Sequence, residues 1–527
     1  MFKILMTYSS KEGLEKLFSN SEFNVTVIPK PSAENLLEAV KDTDAMLIRS
    51  EVKITKDVFD AAKNLKLVVR AGTGVDNIDK NYATQKGVVV MNVPGGNTIS
   101  ACEHTLAMIM SLLRNIPTAS QTLKGGKWEK EKFVGTEFQG KTLGLIGLGR
   151  IGREVAKRAL SFEARVIAYD PYLSQEAAKS IGVEMKTLDE VFRDSDIISL
   201  HTPLNESTKN IINKDSIYRM KNGVRLVNCA RGGVIDENAL LEALKEGKIK
   251  AAALDVFEKE PLPADSPLLG LNNLILTPHL GASTEEAQVK ISKEASDMII
   301  DFFTTGVVRN AVNLPSLDSE TFNILKPYLE LSEKLGLLQA QIIEGGLKSV
   351  ELIHSGEIIS KNTSFLTSAY LKGLLTPFLD IKLNFVNSSF IARERGIMVK
   401  EIKTNEPGDY TTLISATVRT ENSELNAAGT VFSQKFPKIV KLKGLDVDVA
   451  PQGCMIILEN IDKPGIIGKV GTILGENKIN IAGMQVGRNK AGGEAVTIIN
   501  TDSCAEDVVL KKITSIDGVV QAKMVVI

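Results

Sequence analysis

Three short segments of this 527-residue chain carry side chains able to grip a carboxylate and move a proton. They are Asn228-Cys229-Ala230-Arg231-Gly232-Gly233, Asp255-Val256-Phe257-Glu258-Lys259-Glu260-Pro261 and Pro278-His279-Leu280-Gly281-Ala282-Ser283. An arginine offers a planar, two-pronged donor that holds a carboxylate and polarises the adjacent oxygen. A histidine can take a hydroxyl proton near neutral pH. A carboxylate beside it orients the ring and favours its charged form. Arg231, His279 and Glu260, with Glu258 as a competitor in the same loop, therefore suit oxidation of a 2-hydroxy acid. Singly, each has a duller reading: a salt-bridge arginine, a structural histidine, a solvated glutamate.

Such chemistry needs a hydride acceptor, and Gly147-Leu148-Gly149-Arg150-Ile151-Gly152 predicts where it binds. The motif follows the apolar run Thr142–Ile146 and opens a helical pattern, Ile151–Leu160. The first glycine permits a tight turn, the second admits a pyrophosphate, and the third lets helix and strand pack closely. A second strand, Arg165–Tyr169, delivers Asp170, 18 residues after Gly152. That carboxylate can accept both ribose hydroxyls and would repel a 2′-phosphate, which points to NAD.

The elements that must position these residues alternate between strand and helix. Lys3–Thr7, Val25–Ile28, Ala45–Arg49, Leu67–Arg70 and Val88–Asn92 read as strands, with helical patterns such as Ala33–Lys41 and Lys56–Lys63 between them. A helix is expected over Thr98–Arg114, with Asn97 or Thr98 as N-cap. A second alternating unit has strands at Ile197–His201, Arg225–Asn228, Ala252–Val256 and Asn273–Leu276, followed by a helix over Ser283–Thr304. This alternation predicts an α/β fold with two Rossmann-like, doubly wound lobes. In such sheets the strand C-terminal ends face the ligand crevice, which is where all three chemical segments fall.

Asn310–Pro315 and the Ser/Asp-rich stretch after it read as a linker. From Leu317 to about Ala450 the chain is a mixed α+β region rich in β-branched residues. Cys454–Ile527 has the β-α-β-β-α-β spacing of a ferredoxin-like unit. The expected organisation is 1–97 with 284–312 as one discontinuous lobe, 98–283 as the NAD lobe, 317–450 as an intervening domain and 454–527 as a terminal domain.

Net charge is −1, with 63 basic against 64 acidic residues and no dense basic stripe, so nucleic-acid and membrane-surface binding lack support. Met1–Thr7 lacks a signal-peptide cleavage pattern and no apolar run approaches 18 residues, so a cytoplasmic protein is expected. Cys102, Cys229, Cys454 and Cys504 are widely spaced without a CxxC pair, and read as reduced structural thiols. No metal site is expected.

The quoted segments resemble those of the D-isomer-specific 2-hydroxyacid dehydrogenases. Over nearly its whole length, through Arg70-Ala71-Gly72-Thr73-Gly74-Val75-Asp76-Asn77 and two added domains, the chain resembles their long, phosphoglycerate-oxidising branch. The resemblance implies a catalytic set of Arg231, Glu260 and His279, selecting Glu260 over Glu258. It implies NAD contacts from Thr73, Gly147, Gly149, Arg150, Ile151, Gly152, Asp170, Thr202, Cys229, Ala230, Arg231, Asp255, His279, Gly281 and Ala282. The implied reaction is oxidation of 3-phospho-D-glycerate to 3-phosphooxypyruvate, the entry to L-serine. Alternatives are a glyoxylate or hydroxypyruvate reductase of the same superfamily, which normally lacks the last 200 or so residues, and a nonenzymatic NAD sensor on this fold.

A phosphorylated substrate needs cations. Arg49 and Arg70 each close a strand, Gly72 and Gly74 can present backbone N–H groups, and Asn97 can meet the substrate carboxylate. Both arginines could equally serve structural ion pairs. Lys130 and Lys132 flank Trp128 in a segment that often exchanges between subunits in this family. In the tail, Asn460-Ile461-Asp462-Lys463-Pro464-Gly465 and Asn480 look like an ACT signature, with Asn460, Asp462 and Asn480 as candidate contacts for L-serine across a subunit pair. A DxPG turn also serves as plain helix entry. Arg393, Arg395 and Lys400 resemble part of a second anion site, though a solvated charged face is the plainer reading. A homodimer or homotetramer is expected.

Overall fold

The computed structural model describes residues 1–314, 319–421 and 423–527. The end of the expected linker and Leu317 lie outside the described residues. Four sheets organise the rest. The first comprises β1 (Phe2–Met6), β2 (Phe23–Val27), β3 (Ala45–Ile48), β4 (Leu67–Arg70) and β5 (Val89–Asn92), all parallel in the order β2-β1-β3-β4-β5. β3 and β5 are buried at every position. Strands covered by helices on both faces need such unbroken apolar runs.

The second sheet holds β6 (Thr142–Ile146), β7 (Arg165–Tyr169), β8 (Glu184–Met185), β9 (Ile197–Leu200), β10 (Val224–Asn228), β11 (Ile249–Leu254) and β12 (Leu274–Leu276). It too is parallel, in the order β12-β11-β10-β9-β6-β7-β8. The order reverses between β6 and β9, so a crevice opens beyond their C-terminal ends. The helix Thr98–Arg114 buries Cys102, Met108, Ile109, Leu112 and Leu113 in the same core as β6. The helix Glu285–Thr304 returns to the first sheet, where Ile291, Ala295, Met298 and Ile299 join its core.

The third sheet is mixed: β13 (Leu347–Gly356), β14 (Met398–Thr404), β15 (Thr412–Thr420), β16 (Glu424–Phe432), β17 (Phe436–Leu442) and β18 (Leu445–Val449), ordered β14-β13-β15-β16-β17-β18. The helices Ser319–Ile342 and Ser364–Leu375 pack on it around Leu335, Leu338 and Tyr370. The fourth sheet has β19 (Cys454–Ile461), β20 (Ile481–Arg488), β21 (Glu494–Thr501) and β22 (Val519–Val526) in the order β20-β21-β19-β22, with helices Ile466–Glu476 and Asp507–Thr514. This is the expected α/β class with α+β additions. Among the described residues, no helix is long and apolar enough to cross a membrane.

One expectation fails. Cys454 and Cys504 form a disulfide, with Cα atoms 5.1 Å apart. Antiparallel pairing of β19 with β21 sets Cys454 opposite Thr501, and Cys504 follows three residues later. The 50-residue separation hides this in the sequence. Cys102 and Cys229 remain free; burial pushes their thiols up to about 11 and about 12, which leaves them poor nucleophiles.

Candidate functional site

The glycine turn begins where β6 ends. Gly147 adopts φ 97°, and a Cβ on Gly152 would collide with the Gly147 carbonyl oxygen. Gly149 is different: its backbone is ordinary (φ −71°) and a Cβ there would meet nothing within 4 Å. It faces open space, directly before the helix Arg150–Ser161, whose first N–H groups suit a pyrophosphate. The Asp170 carboxylate accepts from the Leu148 N–H at 2.8 Å and the Tyr172 N–H at 2.9 Å, which ties it to the turn. Four lone-pair directions leave it capacity for ribose hydroxyls. Buried Thr202 Oγ1 has no protein partner, and Arg150 Nη1 donates to the Pro94 carbonyl 2.5 Å away. These features fit a bound dinucleotide.

Near the C-terminal edge of this sheet, His279 Nδ1 lies 2.7 Å from Glu260 Oε2. Glu260 Oε1 accepts from the Phe257 N–H at 3.0 Å, so both carboxylate oxygens are engaged. Burial raises the Glu260 carboxyl, but the His279 hydrogen bond and charge and the Phe257 N–H outweigh it and hold it low. Glu258 goes elsewhere: its carboxylate accepts from the Glu237 N–H. His279 sits in a left-handed backbone conformation, φ 56°, uncommon for a residue with a Cβ.

Asp255 holds that turn in place. Its buried carboxylate accepts from Thr277 Oγ1 (2.6 Å), Leu280 N–H (2.7 Å) and Gly281 N–H (2.9 Å), with His104 Nε2 at 3.2 Å. Burial opposes ionisation, yet these donors keep the carboxyl below its ordinary range. His104 thus acts on the loop through Asp255, a role that nothing in its sequence context signals.

Arg231 crosses between the lobes. Its Nε donates to Asp76 Oδ2 at 3.0 Å, and a Cβ on Gly74 would strike its guanidinium. Gly72, at φ 143°, leaves the space that Arg70 Nη1 fills. Arg70 is pushed down to about 10 by burial and by neighbouring Arg231 and Arg49. Arg49 Nε and Nη2 and Arg70 Nε are buried without protein acceptors. Buried, unpaired cationic donors are costly unless an anion satisfies them. Asn97 Oδ1 accepts from Thr73 Oγ1 at 2.9 Å and makes no helix cap, although Asn97 occupies the cap position. Besides His104, the sequence does not single out Asp76, in the same glycine segment as Gly74, or Tyr8, whose ring underlies Arg49.

In the tail, Asn460 is buried; its amide donates to the Ile461 carbonyl and accepts from Thr497 Oγ1. Asp462 is not free to meet an ammonium group: Arg488 Nη1 reaches it at 2.6 Å and, with the Gly492 N–H, keeps its carboxyl low. Asn480 Nδ2 donates to Asp502. Register sets Asn460 opposite Ala495 and Ile481 opposite Thr501, so Asn460 and Asn480 stand at opposite ends of the sheet within one chain. Arg393 and Arg395 are exposed, and Lys400 pairs with Glu351. Trp128 is 82% exposed beside the short turn Lys130–Phe133.

A dinucleotide turn ending in an acid, with a His–Glu pair and an arginine at one crevice, defines an NAD-dependent 2-hydroxyacid dehydrogenase. Residues 106–281 match the NAD-binding domain of D-isomer specific 2-hydroxyacid dehydrogenases, 324–443 the D-3-phosphoglycerate dehydrogenase intervening domain, and 455–518 the ACT domain. The chain is 44% identical to D-3-phosphoglycerate dehydrogenase of Archaeoglobus fulgidus over 98% of its length and 97% of the relative's. It is 43% identical to that of Bacillus subtilis over 100% and 99%. A D-lactate dehydrogenase of Aquifex aeolicus, solved with NAD and lactic acid, superposes with a TM-score of 0.54 at 29% identity, covering 60% of this chain and all of that one. This chain belongs to the D-3-phosphoglycerate dehydrogenase family.

Proposed function

We propose that the protein oxidises 3-phospho-D-glycerate to 3-phosphooxypyruvate, with 1–97 and 284–312 binding substrate, 98–283 binding NAD, and 317–450 and 454–527 regulating turnover. The observation that carries this reading is the 2.7 Å His279–Glu260 pair, together with Arg231 reaching Asp76 across the lobes and unpartnered Arg49 and Arg70 donors in the facing lobe. Arg231 grips the substrate carboxylate and polarises the oxygen at C2. His279 takes the C2 hydroxyl proton, while Glu260 orients its ring and balances the imidazolium charge. Arg49 and Arg70, with the Gly72 and Gly74 backbone, hold the phosphate, and Asn97 meets the carboxylate. Bound NAD supplies the hydride acceptor. Gly147, Gly149, Gly152, Arg150 and Ile151 cradle it, Asp170 reads its ribose, and Thr73, Thr202, Cys229, Ala230, Asp255, Gly281 and Ala282 complete its pocket.

The ACT match supports amino-acid control, with L-serine as effector at Asn460, Asp462 and Asn480 of paired subunits. For Asp462 this means exchanging Arg488 for the ligand. Assembly as a homodimer or homotetramer in the cytoplasm belongs to the same reading, supported by the uncovered Trp128 arm. The test is NADH formation from NAD and 3-phosphoglycerate, with and without L-serine. No rate above background would refute the activity; a rate that saturating L-serine leaves unchanged would refute the control.

A further inference from the structure

Tyr8 follows β1 and Arg49 follows β3, and these strands are neighbours where the order of the first sheet, β2-β1-β3-β4-β5, reverses. Parallel sheets open a ligand crevice at such a point, beyond their strand C-terminal ends. The Arg49 guanidinium carbon lies 4.1 Å from the centre of the Tyr8 ring. Stacking constrains the guanidinium plane and leaves free its edge, where Nε and Nη2 form the two-pronged donor that matches two oxygens of one anion. Both atoms are buried and without a protein acceptor. Tyr8 itself is only 7% exposed. Its hydroxyl sits beside Ser292, on the helix Glu285–Thr304, and beside Arg49 without a well-aligned hydrogen bond to either. Packing thus fixes the ring, and the ring fixes the arginine.

We propose that Tyr8 is a positioning residue that sets the orientation of Arg49 and so the preference for a substrate with a second anionic group at its far end. The inference rests on the reading of Arg49 as the ligand of that group. The ring, rather than the hydroxyl, carries the effect, because the stack needs only the aromatic face. An Arg49 released from the stack samples other rotamers and loses the aligned fork, which weakens binding without touching the reacting centre.

The experiment compares wild type with Tyr8→Phe, Tyr8→Leu and Arg49→Ala in the full-length protein, using 3-phospho-D-glycerate and its unphosphorylated counterpart, D-glycerate. Tyr8→Leu should raise KM for the phosphorylated substrate on the order of tenfold. It should leave kcat and the D-glycerate KM within about twofold, and Tyr8→Phe should match wild type. Tyr8→Met replaces the leucine variant should that variant not fold. Equal losses on both substrates, or a phenylalanine variant as impaired as the leucine one, would overturn the inference. If Arg49→Ala leaves the phosphorylated substrate's KM unchanged, the reading of Arg49 fails. A rise with Arg49→Ala but none with Tyr8→Leu defeats the role of Tyr8 alone.

Discussion

Arg231, from the dinucleotide-binding lobe, donates to Asp76 of the facing lobe across 3.0 Å. The arginine expected to hold the substrate carboxylate thus has a protein carboxylate as partner. Asp76 is 63% exposed, so the pair is weak and exchangeable. On the proposed reading, substrate binding would exchange one carboxylate for another on the same fork.

Removing Asp76 should therefore help binding. Asp76→Ala is expected to lower substrate KM by up to about fivefold, the scale of an exposed pair, with kcat within about twofold. Steady-state kinetics at two salt concentrations check this, since the gain should shrink as salt screens the pair. A raised KM would show that Asp76 orients Arg231 rather than competing for it.

His279→Asn should cost on the order of 10²–10⁴ in kcat, the usual scale for a general acid–base. Glu260 bears on pH as well. Its carboxyl is held low in the folded chain, so its contribution is full above the unfolded value of about 4.3 and is lost as pH falls through the folded one. Glu260→Gln should flatten the melting temperature below about pH 4.5 relative to wild type. An unaltered acid limb would count against the pair's contribution.

The glycines of the turn should separate by what surrounds them. Gly152→Ala puts a Cβ against the Gly147 carbonyl and should cost about 1–3 kcal/mol of stability. Gly149→Ala meets open space, so it should fold normally yet weaken NAD binding at least tenfold, a loss of about 1.4 kcal/mol. Thermal denaturation with and without NAD distinguishes the two.

In the intervening region His354 is fully buried, with Nδ1 unpartnered and Nε2 3.3 Å from Thr367 Oγ1. Burial pushes it down to about 4. The unfolded chain binds its proton first, so stability should fall as pH drops below about 6.5. Denaturant unfolding at pH 7 and pH 5 should show this loss, and His354→Asn should abolish most of it.

Reduction of Cys454–Cys504 should destabilise the tail, because the bond closes a loop with a sequence separation of 50. The expected cost is about 2–4 kcal/mol. Melting curves with and without reductant, and for Cys504→Ser, provide the measurement; identical curves would argue that the thiols are unpaired in solution.

The parallel lobes are legible because each strand is short, apolar and separated from the next by a helix of different period. Thr142–Ile146, Leu67–Arg70 and Thr98–Arg114 fall where their patterns predict. The region from 319 is harder to read for a physical reason. In the helix Ser364–Leu375, ten of twelve residues are buried, so no polar stripe marks its period. Ser319–Ile342 carries Pro327 in its interior, which reads as a break.

The sequence by itself determined the chemistry. Motif order behind the glycine turn points to Arg231, His279 and a glutamate of the Glu258–Glu260 loop, and Asp170 points to the cofactor, because each depends on residue type and local spacing; the hydrogen bond to His279 singles out Glu260. Only the tertiary structure decided the partners. Asp76 lies 155 residues from Arg231, and Tyr8 lies 41 from Arg49. Asp255 serves the loop after β12, and Cys454 meets Cys504. These pairings follow from strand order and register, which local spacing does not encode.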